Sequence, residues 1–245
     1  MTHGTVTLVG GGPGDWDLIT IRGLRALEKA DVILTDHLGP SAQLHEFIDV
    51  SGKEIVDVSK LPYGKQVAQE RINELIVEHA LAGSEVVRLK GGDPYVFGRG
   101  FEEAQACARA GLTCTVVPGV TSAVSVPAAA GIPVTQRGVT HSFTVVSGHL
   151  PPGHPKSLTD WGALARVGGT IVVIMGVRNV GPITQTLLDA HLPPSTPAAV
   201  VQDGETPRQR EFRTTLGSLA AVMNDNSVAA PAVYVIGEVA GCALA

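Results

Sequence analysis

The stretch Val86-Val87-Arg88-Leu89-Lys90, apolar but for two cations, passes directly into Gly91-Gly92-Asp93-Pro94. No other stretch constrains the fold as strongly. The run reads as a strand, and its abrupt end delivers main chain and one carboxylate to a single point. Paired glycines let the chain approach a ligand or take positive φ, Asp93 supplies an acceptor, and Pro94 fixes the turn while removing a competing donor. A plain structural loop at a strand end is the alternative reading of the same residues.

Around this strand the sequence alternates. Strand patterns at residues 5–9, 30–35, 54–58, 85–89 and 113–117 are separated by helical patterns that include 18–29, 67–82 and 101–110. Such alternation predicts a largely parallel sheet covered by helices. Pro118-Gly119 opens a segment of small residues that runs to Gly131-Ile132-Pro133, where a domain boundary is expected. Beyond it, strand patterns at 142–147, 170–175, 198–202 and 232–236 are interspersed with helical ones at 182–190 and 216–224. The expected architecture is two α/β domains, residues 1–132 and 133–245.

A chain of 245 residues with 44% hydrophobic content can fill two cores of that size. The net charge is −5, aromatic residues make up 4%, and no long basic run occurs, which argues against nucleic-acid binding. No apolar run approaches membrane-spanning length and the N-terminus carries no basic leader pattern, so a cytoplasmic protein without a membrane partner is expected. Cys107, Cys114 and Cys242 lack disulfide or zinc spacing, and the histidines show no paired ligand spacing. No metal is expected.

Gly10-Gly11-Gly12-Pro13-Gly14-Asp15 follows the first strand, where a dinucleotide fingerprint would lie. Asp15 stands at the third glycine position and would set a carboxylate against a phosphate, so a cationic or neutral ligand fits better. Alternatively, Asp15 caps the helix starting near residue 18. Asp36 ends the second strand at the edge where open parallel sheets place ligands; it could hold a ribose, accept a proton or simply be solvated. Lys60 and Lys65 read as loop lysines unless an anion lies near. Pro118-Gly119-Val120-Thr121-Ser122-Ala123 either offers main chain and hydroxyls to a ligand or caps a helix of small residues. Arg88, Lys90 and Arg99 give a local basic bias inside an acidic chain, suited to an anionic small molecule.

Taken together, Val9-Gly10-Gly11-Gly12-Pro13-Gly14-Asp15, Ala30-Asp31-Val32-Ile33 to Asp36, Arg88-Leu89-Lys90-Gly91-Gly92-Asp93-Pro94, Phe97-Gly98-Arg99-Gly100, Pro118-Gly119-Val120-Thr121-Ser122, Gly131-Ile132-Pro133-Val134-Thr135 and Ser142-Phe143-Thr144-Val145 resemble the uroporphyrinogen-III C-methyltransferase family. That family belongs to the tetrapyrrole methylases, which use S-adenosyl-L-methionine. The resemblance spans nearly the whole chain. Its most specific part is the Lys-Gly-Gly-Asp-Pro block running into Phe-Gly-Arg-Gly.

The resemblance implies two α/β domains with the active site in the cleft between them, the cofactor being held chiefly by main chain. By matching motifs, Pro13, Gly91, Gly92, Asp93, Val96, Thr121, Ser122, Met175, Gly204 and Ala232 would line the cofactor. Asp36 matches the family's proton acceptor and Lys60 its proton donor. Arg99, Glu102, Arg137 and Met175 match positions that hold or activate the tetrapyrrole. The implied reaction methylates uroporphyrinogen III at C2 and then C7, giving precorrin-2 for sirohaem or cobalamin and two S-adenosyl-L-homocysteines, in a homodimer. Two departures stand out. Lys60 is flanked by Ser59 and Leu61 where the family usually has glycine and arginine, and Gln136 replaces a histidine often found before Arg137.

Other readings remain at this point. A methyltransferase acting on another precorrin shares fold and cofactor. A nicotinamide-dependent oxidoreductase would use the first glycine loop and Asp36, but Asp15 and the Gly91-Gly92-Asp93 block argue against it. A non-catalytic tetrapyrrole-binding module would bind without turnover.

Overall fold

In the computed structural model, which describes residues 3–36, 38–59 and 69–242, the chain falls into two compact units, Met1–Thr121 and Ser122–Ala245. The first contains β1 (Val6–Gly10), α1 (Ile21–Lys29), β2 (Val32–Thr35), α2 (Leu44–Phe47), β3 (Glu54–Asp57), α3 (Gln69–Leu81), β4 (Val86–Lys90), α4 (Gly100–Arg109) and β5 (Cys114–Val117). Its strands form one parallel sheet in the order β3-β2-β4-β1-β5. Each inner strand is buried on both faces, as expected of a sheet with helices on both sides.

Side-chain alternation sorts these strands onto two cores. Val6, Leu8, Val32, Leu34 and Val86 meet Ile72 and Ile76 of α3 and Cys107 of α4, while Val9, Ile33, Val87, Leu89 and Val117 meet Leu27 of α1 and Leu44 of α2. Arg88 and Lys90 occupy alternate positions of β4 and so share the α3/α4 face. The helix expected from residue 18 starts later, at Ile21. Thr20, not Asp15, caps it: the Thr20 hydroxyl accepts from Gly23 N–H at 3.0 Å, whereas Asp15 makes no side-chain cap bond to the short 3-10 turn that follows it.

The second unit contains α5 (Ser122–Ala129), β6 (Phe143–Ser147), α6 (Trp161–Val167), β7 (Thr170–Ile174), α7 (Val180–Asp189), β8 (Pro197–Gln202), β9 (Arg210–Thr215), α8 (Leu216–Asp225) and β10 (Ala232–Ile236). Its sheet has the order β6-β7-β10-β8-β9 and is mixed, since β10 runs antiparallel to both β7 and β8. Ala123, Val126, Ala130 and Ile132 pack on Val172, Ile174, Val201 and Val233 of this sheet. On the opposite face Ile183 and Leu187 of α7 and Leu219 of α8 cover Val173, Val200 and Tyr234.

The strand β9 has no counterpart in the sequence reading. Arg210-Glu211-Phe212-Arg213-Thr214-Thr215 lies at the sheet edge with half of its side chains exposed and none fully buried, and Phe212 is its partly buried contact with the core, so no apolar alternation announces it.

Candidate functional site

At the carboxyl end of the first sheet, three loops meet main chain to main chain. Gly11 N–H donates to Lys90 O at 2.8 Å, and Gly12 and Gly92 exchange hydrogen bonds as an isolated antiparallel bridge. A Cβ on Gly10 would lie 2.5 Å from Gly119 N, and one on Gly119 would lie 2.2 Å from Gly92 O. A Cβ on Gly91 would meet Leu38 O at 2.1 Å, which brings the loop after β2 into the same junction. The glycines are required by one another.

Asp93 locks this junction. Its Oδ1 accepts from Tyr95 N–H and Val96 N–H at 2.8 and 3.2 Å, and its Oδ2 accepts from Gly119 N–H at 3.0 Å. The acceptor expected from the sequence is present, and it serves the protein's own main chain. Gly91, Gly92 and Val96 are half-buried, so their main chain borders solvent. Pro13 on the first glycine loop and Thr121 after β5 are half-buried as well.

Beneath the junction lies a charge network. Glu103 of α4 is fully buried, and its Oε1 accepts from Lys90 Nζ at 2.9 Å, Arg88 Nε at 3.3 Å and Gln69 Nε2 at 3.2 Å. Glu103 Oε2 has no hydrogen-bond partner among the described residues. Arg88 continues outward: its Nη2 lies 2.8 Å from Oδ2 of Asp36, whose Oδ1 accepts from Leu38 N–H at 2.9 Å. Burial and the neighbouring Arg88 hold the Lys90 ammonium below the usual lysine value, against the pull of Glu103 and Asp36. The basic bias expected of Arg88 and Lys90 toward a ligand is therefore corrected. Both cations are internal, and Glu103 and Asp36 neutralise them.

Arg99 does face solvent. Its guanidinium makes a two-pronged pair with Glu102, at 2.9 and 2.8 Å, in which the hydrogen bond raises the Arg99 value and lowers that of Glu102. Phe97 and Arg99 both take left-handed φ, at 56° and 58°, on either side of Gly98. The exposed rings of Tyr95 and Phe101 meet edge to face beside them.

In the second unit, Met175 follows β7 with φ 55° and is half-exposed. Val233 pairs with Ile174, the residue before Met175, and Ala232 pairs with Gln202, two residues before Gly204. Met175, Ala232 and Gly204 thus gather at one end of that sheet. Gly204 sits between Asp203 and Glu205, at φ 49° and 63°, and a Cβ on it would strike Val126 at 2.5 Å. Ser122 opens α5, and Arg137 lies exposed on a turn closed by the Gln136–Thr140 bridge. Lys60 falls outside the described residues. Among the described residues, five of the seven non-glycine left-handed positions flank or form these candidate sites. Such conformations store strain and concentrate where function holds them.

Among the described residues no cluster of three or more His, Cys, Asp or Glu could hold a metal ion, and no helix is long and apolar enough to cross a membrane. Residues 5–220 match the model of the Tetrapyrrole (Corrin/Porphyrin) Methylases. The chain belongs to that family. Its two-sheet α/β architecture is the tetrapyrrole methylase fold: the uroporphyrin III C-methyl transferase of Thermus thermophilus superposes with a TM-score of 0.80 at 40% identity, covering 96% of this chain and 98% of that one. The same bacterium's enzyme complexed with S-adenyl homocysteine gives 0.79 at 37% identity, covering 96% and 93%. Among curated relatives, an S-adenosyl-L-methionine-dependent uroporphyrinogen III methyltransferase of Methanosarcina barkeri is 43% identical over 237 residues, 97% of this chain and 92% of that protein.

The features missed in the sequence are Glu103 and the inward direction of Arg88 and Lys90. A usable signal was present. Two cations two residues apart in an otherwise apolar strand share one buried face, and such a face needs a counter-charge from the covering helix.

Proposed function

We propose that this tetrapyrrole methylase is a methyltransferase that takes the methyl group of S-adenosyl-L-methionine and places it on uroporphyrinogen III, first at C2 and then at C7. The product is precorrin-2, the branch compound toward sirohaem and cobalamin. The observation that carries this reading is similarity over nearly the full length to an enzyme of that name, at 43% identity.

The residues present fit the cofactor. Asp93 is already engaged by three main-chain N–H groups, so the turn offers no free anion to repel the cofactor's carboxylate and no phosphate cradle. In the first unit what remains is half-buried main chain at Gly91, Gly92 and Val96 with Pro13 and Thr121, and in the second unit the resemblance points separately to Ser122, Met175, Gly204 and Ala232. Such positions suit a sulfonium cofactor held by shape and main-chain hydrogen bonds.

When bound, S-adenosyl-L-methionine supplies a methyl group already activated by its sulfonium. The chain's task is in-line positioning, which can account for about 7 to 11 kcal/mol of a barrier in favourable cases. A pyrrole carbon forms the new C–C bond as the S–C bond breaks, and the positive charge passes to the macrocycle, which loses a proton. Asp36 accepts that proton, and Lys60 is the donor on the strength of the resemblance. Uroporphyrinogen III carries eight carboxylates, and Arg99 and Arg137 are exposed planar cations able to pair with them in two-pronged fashion. Glu102 holds Arg99 until substrate arrives. A homodimer completes the reading, and sedimentation measures it.

Incubation of the protein with uroporphyrinogen III and S-adenosyl-L-methionine tests this function. Dimethylated product with two equivalents of S-adenosyl-L-homocysteine supports it. Methylation of a different precorrin only, or tetrapyrrole binding without turnover, overturns it.

A further inference from the structure

Asp36 is held from both sides. Its Oδ2 takes Arg88 Nη2 at 2.8 Å and its Oδ1 takes Leu38 N–H at 2.9 Å, so the torsion of the carboxylate is fixed by one side chain and one peptide. Each oxygen keeps a further lone pair, and the side chain is 22% exposed. Arg88 is fixed in turn. Its side chain is 4% exposed, Nη1 donates to Leu89 O at 2.6 Å, and Nε donates to the fully buried Glu103. The pairing register places Arg88 opposite Leu34, so the guanidinium reaches two residues along β2 to Asp36 on the same face.

A structural explanation of Arg88, as the partner that neutralises Glu103, is weaker than the geometry suggests at first. Lys90 already does that at 2.9 Å, while the Arg88–Glu103 contact is longer, at 3.3 Å. The shorter of Arg88's two ion pairs runs to Asp36. The chain Glu103–Arg88–Asp36 therefore rises from a fully buried anchor to a partly open carboxylate at the edge of the sheet. A base oriented by a second group, itself held by a third, is a recurring arrangement in proton-transfer sites.

We propose that Arg88 is a positioning residue that holds the Asp36 carboxylate in one orientation for proton acceptance, with Glu103 and Lys90 fixing Arg88. This rests on Asp36 being the proton acceptor, as proposed above. Arg88 touches neither substrate nor cofactor in this role.

The test uses Asp36→Asn, Arg88→Lys and the double variant, with kcat and KM for uroporphyrinogen III measured alongside S-adenosyl-L-homocysteine affinity as a check on the folded site. Losing a general base lowers kcat about 10²- to 10⁴-fold. Arg88→Lys keeps the buried charge but not the two-directional reach, and is expected to lower kcat about tenfold or more while KM and S-adenosyl-L-homocysteine affinity stay within about twofold. The double variant is expected to be no slower than Asp36→Asn alone, because the two residues act as a unit. Multiplying losses, or a folded Arg88→Lys with the parent kcat beside a slow Asp36→Asn, overturns the positioning role and leaves Asp36 as base. An Asp36→Asn enzyme with the parent kcat overturns both. Should Arg88→Lys fail to fold, Asp36→Glu decides: it keeps the carboxylate but displaces it by one methylene. A kcat nearly as low as that of Asp36→Asn supports positioning, and a kcat near the parent's overturns it.

Discussion

Lys90 Nζ lies 2.9 Å from Oε1 of Glu103, with neither side chain more than 5% exposed. Two charges taken this far out of water stabilise the fold only as long as each keeps its partner. Arg88 adds a second cation to the same oxygen, so Glu103 meets both strand residues, while Arg88 is also paired with Asp36.

Glu103→Ala is expected to lower unfolding free energy by about 3 to 5 kcal/mol, the usual result of stranding a buried charge. Urea unfolding measures it. Glu103→Gln keeps the volume and exposes the electrostatic part. Glu103 pulls the Lys90 value upward against burial and Arg88, so its neutralisation lowers that value further. The unfolded chain then holds the Lys90 proton more tightly than the folded one over a wider window below the usual lysine value. Stability must climb with pH through that window, more steeply in Glu103→Gln than in the parent. A flat comparison would contradict the assignment.

Asp93→Ala removes the acceptor of three main-chain N–H groups at once. A loss of about 2 to 3 kcal/mol is expected, since some of the stranded donors can find water. Affinity for S-adenosyl-L-homocysteine, measured by calorimetry, should fall along with it, whereas Asp93→Asn keeps an acceptor oxygen and should retain part of both.

Gly119→Ala drives a methyl group to 2.2 Å from Gly92 O, where the obstacle is main chain and cannot rotate away. Destabilisation at or beyond about 3 kcal/mol is expected. Gly111→Ala is the control. Unlike Gly119 it sits at positive φ, +73°, and has nothing within 4 Å of the new atom, so only the conformational strain of about 1 to 2 kcal/mol applies. Thermal unfolding of the two variants side by side separates contact from strain.

Arg99→Ala opens an exposed ion pair whose own contribution to stability is about 0 to 1 kcal/mol. The expected outcome is an unchanged melting temperature and S-adenosyl-L-homocysteine affinity with a raised KM for the tetrapyrrole. Loss of cofactor affinity instead would assign Arg99 to the other ligand.

Much of the first unit was legible because burial on both faces forces runs such as Val32 to Leu34 to be apolar, and a parallel sheet then follows from alternation with helices. Legibility failed where structure is held by something other than an apolar pattern. The edge strand Arg210–Thr215 is pinned by main-chain pairing, which any residues can supply. The start of α1 turned on a hydroxyl, Thr20, five residues beyond the carboxylate that looked more suitable. At the site, Gly91-Gly92-Asp93 announced close approach, but a sequence does not say what approaches. Here much of it is other main chain. Left-handed Phe97, Arg99 and Met175 carry no mark in the sequence, since nothing in their side chains asks for that conformation.

The contact of Gly10, Gly92 and Gly119 has a consequence for how such a protein can vary. Three strand ends touch there through peptide units, and peptide units are the same whatever the sequence. The junction therefore acts as a fixed origin from which the surrounding loops are measured. Substitutions in Leu38, Tyr95 or Phe101 can redraw the surface around it, while the position of the junction itself stays put.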